Sequence, residues 1–123
     1  MAATKASGWG WMLFRATLIG TVLQLGLTIS GHFDAPVRSM FAILGMIFSL
    51  VAGFIFGRIA VTTGQAMAII GGAIAGAVCA LIAILESYVL RDVPAWVIAF
   101  GPFSSAITGA LGGFLGRLAR PKA

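Results

Sequence analysis

Four stretches of about twenty residues, almost free of charge, constrain this chain more than any motif in it. A bilayer core is about 30 Å thick and a helix rises about 1.5 Å per residue, so roughly 20 apolar residues cross it. The stretches are residues 11–30, 37–59, 66–85 and 95–116. The first carries Arg15 near its start and Gln24 within it, and the third is closed by Glu86. With 60% of the 123 residues hydrophobic and only 9% charged, the chain holds more apolar surface than a water-soluble domain of this length can bury. The expected fold is therefore an all-α membrane protein, a single domain over residues 1–123 with four transmembrane helices joined by short connections. Consecutive spans are then antiparallel neighbours.

Charge orders the spans relative to the membrane. With four crossings, one side collects Lys5, Arg15, Arg58, Arg117, Arg120 and Lys122, and the other only Arg38 and Arg91; Asp34, Glu86 and Asp92 all fall on the poorer side. The positive-inside rule then predicts an integral membrane protein with both termini cytoplasmic, in a bacterial inner membrane or its equivalent. The first span reads as retained rather than as a cleaved signal peptide, because Trp9 and Trp11 suit an interfacial belt and Gln24 interrupts the apolar run. The basic tail from Arg117 reads as a topology anchor that attracts anionic lipid, not as a nucleic-acid site.

Two segments resemble each other. Asp34-Ala35-Pro36 precedes the second span and Asp92-Val93-Pro94 the fourth, 58 positions later. At the other ends, Gly53-x-x-x-Gly57-Arg58-x-Ala60 matches Gly112-x-x-x-Gly116-Arg117-x-Ala119 at an offset of 59. Aspartate can cap a helix start, proline fits its first turn, and arginine anchors its end. The pattern predicts two tandem helical hairpins related as a parallel repeat, about an axis along the membrane normal. Small residues recur every fourth position: Gly45, Ser49, Gly53 and Gly57; Ala68, Gly72, Gly76 and Ala80; and two rows on the fourth span, Gly101 to Gly113 and Ser104 to Gly116. Spacing four makes a ridge on one face, and small ridges let membrane helices approach closely. Gly53, Gly57, Gly72, Gly76, Gly112 and Gly116 are the expected packing residues. Two rows on one span predict two partners, the third span and either the second span or another subunit.

Chemistry is sparse. Nothing assembles a nucleophile, base and oxyanion donors, so no enzyme is expected, and no cofactor or metal either. Gly71 to Gly76 lacks the Lys-Ser or Lys-Thr of a phosphate loop. Polar side chains at membrane depth are the candidates, since burying one without a partner is costly. These are Gln24, Ser49, Ser104, Ser105 and Thr108, with Pro102 freeing the Ile98 carbonyl beside them. Glu86 is expected to pair with Arg91 at the interface, and His32 and Asp34 to be a solvated loop residue and a helix cap. Cys79 reads as small packing.

In size alone the chain resembles the small multidrug resistance transporters and the double-barrelled fluoride channels. The first family implies a membrane-embedded glutamate in the first span, where Arg15 and Gln24 stand. The second implies an Asn track and a Thr-rich break in the third span, which are absent. No site residue carries over. The leading expectation is a non-enzymatic oligomeric or accessory subunit held by small-residue packing, its partners the bilayer and a second copy or another membrane protein. The alternative is a small-solute or ion transporter using the polar cluster.

Overall fold

A backbone in hydrocarbon must satisfy its own hydrogen bonds, so apolar runs of this length fold as helices. The computed structural model describes residues 2–120, with side chains described from Gly8 to Arg120. Five helices follow in order: α1 (Ala2–Phe33), α2 (Ala35–Arg38), α3 (Phe41–Ile59), α4 (Gln65–Val89) and α5 (Val97–Leu118). Segments Gly8–Phe33, Phe41–Ile59, Gln65–Val89 and Val97–Leu118 are each long and apolar enough to cross a membrane, which marks an integral membrane protein. Lys5 and Lys122 lie outside the described side chains.

Two boundaries differ from the expectation. The second span does not begin at Val37: α2 is a separate single turn, broken from α3 at Ser39 and Met40. Pro36 sits in the first turn of α2, and Asp34 holds its cap position without a side-chain bond. The corner doubles back so closely that a methyl on Gly31 would run into the Phe41 ring. The third span is not closed by Glu86, because α4 continues to Val89. It ends in a left-handed turn at Arg91, φ 64°, with Arg91 N–H bonded to the Tyr88 carbonyl and Asp92 N–H to that of Ser87. This is the six-to-one, five-to-two pattern that glycine usually closes.

Helices α3 and α4 pack on each other, with α1 on one side of the pair and α5 on the other. Gly53 and Gly57 of α3 face Gly109 and Gly113 of α5, so these two run parallel, while Gly72 and Gly76 of α4 meet Gly113, Gly109 and Ser105 of α5 in the antiparallel sense. Both ends of the described chain therefore lie at one end of the bundle, here termed the terminal end. His32, Arg38 and Asp92 lie at the opposite, distal end. At each glycine of the α5 rows from Gly109 to Gly116 a methyl would strike backbone of α3 or α4. Both rows are thus occupied within the chain, the second partner of α5 being α3.

The α3–α5 contact is reciprocal at the offset of 59. Gly53 meets the carbonyl of Gly109 while Gly112 meets that of Leu50. Gly57 meets Gly113 and the Arg117 nitrogen while Gly116 meets Phe54 and the Arg58 nitrogen. The reciprocity is local. A twofold relation of whole hairpins would match the α3–α4 packing with an α1–α5 packing, and α1 and α5 do not run against each other.

At the terminal end Phe56 is fully buried, its ring so close to Gly71 that no Cβ fits there. Trp9 packs edge-on to Phe56 at 5.8 Å. Of the two expected belt residues Trp11 is exposed, whereas Trp9 is partly buried and packs against the core because α1 lays it across α3. The basic tail also differs from a purely lipid-facing anchor. Arg120 donates to the carbonyls of Gly57 (2.7 Å), Ala60 (2.6 Å) and Thr63 (3.0 Å), while Arg58 donates to that of Ala119 at 3.1 Å. A guanidinium fork satisfies the orphan carbonyls and the dipole of the α3 end together.

Candidate functional site

Close glycine packing from Gly109 to Gly116 holds the terminal half of α5 against backbone of α3 and α4, but toward the distal end this backbone contact stops, and Gly101 meets only side chains, those of Ile84 and Val97. With α1 and α5 unpartnered to each other, a cavity of about 300 Å³ remains between α1, α3, α4 and α5. Its walls are mainly apolar, including Leu27, Ala83, Ile84 and Phe100.

Gln24 reaches this cavity from α1 and is only 3% exposed. Its Nε2 donates to Ser49 Oγ at 2.9 Å and to Cys79 Sγ at 3.3 Å. Ser49 and Cys79 in turn each donate to the Gly76 carbonyl at 3.4 Å. One amide thereby links α1, α3 and α4 through hydrogen bonds that hydrocarbon makes costly to lose. The chain of donors also orients the amide, since both Nε2 hydrogens are taken and Oε1 is left. A methyl on Gly45, which lines the cavity, would stand 3.5 Å from Oε1. No described side chain donates to that oxygen.

The other candidates separate. Ser104 and Ser105 line the cavity. Ser104 Oγ donates back to Gly101 at 3.0 Å, whereas the Ser105 hydroxyl, on a residue 4% exposed, has no hydrogen-bond partner among the described residues. Thr108 turns onto its own helix, donating to the Ser105 carbonyl at 3.1 Å, and is not part of the wall. Ser49 is the partner of Gln24 rather than a separate polar site. The expected pairing of residues from α1 and α5 thus narrows to Gln24 and Ser105 across the cavity.

Charge gathers at the distal mouth, in a cluster that pattern reading missed. His32 Nδ1 lies 2.8 Å from Asp92 Oδ2, and Arg38 Nη1 3.5 Å from Oδ1; the Asp92 side chain is 7% exposed. Arg38 also donates to the His32 carbonyl at 3.4 Å. These contacts correct two expectations. His32 is not a solvated loop residue, and the ion-paired carboxylate is Asp92, not Glu86, which instead accepts from Ser87 Oγ at 3.4 Å. The left-handed turn at Arg91 is the cause, because it carries Asp92 back toward the end of α1. His32 lies in the last turn of α1, Arg38 ends α2 and Asp92 lies between α4 and α5; their nearness to the two distal connections was visible in the sequence, but their convergence was not. Among the described residues no group of three or more His, Cys, Asp or Glu gathers as for a metal ion.

Compared with protein families, with curated proteins and with solved structures, the chain gives no match. The site must be read from its own chemistry.

Proposed function

We propose that this membrane protein binds a small solute in its distal cavity, as a carrier or sensor rather than an enzyme. The observation that carries the reading is the pair of residues Gln24 and Ser105, each at least 96% buried and lining one cavity, with Gln24 Oε1 and Ser105 Oγ making no hydrogen bond among the described residues. A few polar groups set in a mainly apolar wall are what fix and orient a small ligand. Transport would require the glycine-packed terminal half to open. An oligomeric or accessory-subunit role would have to use other surfaces, since the ridges that suggested it are filled by the chain itself. The reciprocal α3–α5 contact supports a further reading of α3 and α5 as corresponding helices of a parallel repeat, a correspondence that the packing of α1 and α4 does not extend to whole hairpins. The charge bias supports cytoplasmic termini.

Gly45 faces space, so Gly45→Leu fills the cavity without touching the glycine seams. A panel of small solutes equilibrated with purified protein in mild detergent tests the reading. Solutes retained by the wild type and lost from Gly45→Leu are expected. Equal retention by the two folded proteins would overturn it.

A further inference from the structure

Resting on that reading, we propose that the occupant is a neutral molecule with an apolar body and one hydrogen-bond donor, such as an alcohol, phenol or primary amide. It binds donor end first against Gln24 Oε1.

The bonds made by Nε2 hold the amide as an acceptor toward the cavity. Flipping Gln24 would point Nε2 at the open cavity and require Ser49 or Cys79 to turn its proton from the Gly76 carbonyl to Oε1. In the observed orientation both hydrogens of Nε2 are used. Ser105 Oγ, which both donates and accepts, suits a hydroxyl or amide that does the same.

The remaining surface sets the charge and shape. A dehydrated cation needs several oxygen ligands, hard ones such as Ca²⁺ taking about six to eight; the lining does add the hydroxyls of Thr28, Ser39, Ser87 and Ser104 and the Asp92 carboxylate, but Asp92 is already paired with His32 and Arg38, and among the described residues no group of three or more His, Cys, Asp or Glu gathers. An anion placed there would face the lone pairs of Oε1. At the mouth, His32 and Arg38 are both engaged with Asp92, so the cluster favours neither sign strongly. The aliphatic walls and the rings of Phe41, Trp96 and Phe100 suit an apolar body. The volume, about 300 Å³, lies at the lower end of the range for small-molecule sites.

Fluorine NMR titration of the full chain in detergent tests this with para-fluorophenol, para-fluorotoluene and para-fluorobenzylammonium. The wild type is expected to bind the phenol saturably and about tenfold more tightly than the toluene, the worth of one well-made hydrogen bond in a dry site. Gln24→Met, of similar shape, should bring the two affinities together. Ser105→Ala should weaken the phenol several-fold, with circular dichroism confirming that both variants fold. Gly45→Leu should abolish binding of both. Equal wild-type affinities for phenol and toluene, or tighter binding of the ammonium, would overturn the donor-first assignment while leaving a binding cavity intact. Absence of any Gly45-dependent binding would remove the cavity reading along with it.

Discussion

Single residues here act through the backbone they touch. Arg120 satisfies the carbonyls that end α3. Desolvation there, and secondarily the charge of Arg117, pull its pKa below that of a free guanidinium, although the group stays a cation. Arg120→Ala should lower stability by about 1–2 kcal/mol, a hydrogen-bonded charge discounted for partial exposure, and Arg120→Lys should restore only part, because one ammonium cannot reach several carbonyls as a planar fork does. Thermal unfolding in detergent would read both; unchanged midpoints would dismiss the clamp. Arg91 works in the opposite direction. Its left-handed backbone costs a non-glycine residue roughly 1 kcal/mol, so Arg91→Gly should raise stability by about that amount while keeping Asp92 in place. A loss of stability would mean that the arginine side chain contributes more than its backbone costs.

Between elements, the decisive fact is how little separates them. Seams made of glycine admit carbonyl against Cα, and a single methyl forces the helices apart. Gly109→Ala and Gly112→Ala should each destabilise the bundle by about 1–3 kcal/mol. Gly26→Ala, where nothing lies within 4 Å, should be neutral or slightly stabilising because alanine favours the helix. Unfolding titrations that failed to separate these variants would refute the seam assignment. At the distal end, Asp92 joins the end of α1 to the α4–α5 connection through His32. Asp92→Asn removes the charge but little volume, and should speed amide exchange at residues 30–33 and 87–92 while sparing the glycine seams. Mass-resolved hydrogen exchange would show it, and an unaltered pattern at both segments would argue that the cluster latches nothing.

For the whole molecule, four helices of spanning length with parallel and antiparallel seams place both ends of the described chain at one end of the bundle. On a Cys79→Ser background, Thr62→Cys and Ser39→Cys should react with an impermeant thiol reagent from opposite faces of the membrane, Thr62→Cys from the cytoplasmic one. Labelling of both from one face would contradict the topology.

Much of this architecture could be read directly from the amino acids. Apolar length and charge spacing determine how many times the chain enters lipid, and small residues at every fourth position mark where backbones approach, because both are one-dimensional properties of a helix. Gln24 and Ser105 were likewise marked as polar groups out of place. Their meeting across a cavity, the withdrawal of Thr108 onto its own helix, and the Asp92 cluster were decided only in three dimensions. Each depends on which helices are neighbours and on how a single left-handed turn redirects the chain, and periodicity along one segment does not encode the distance between two.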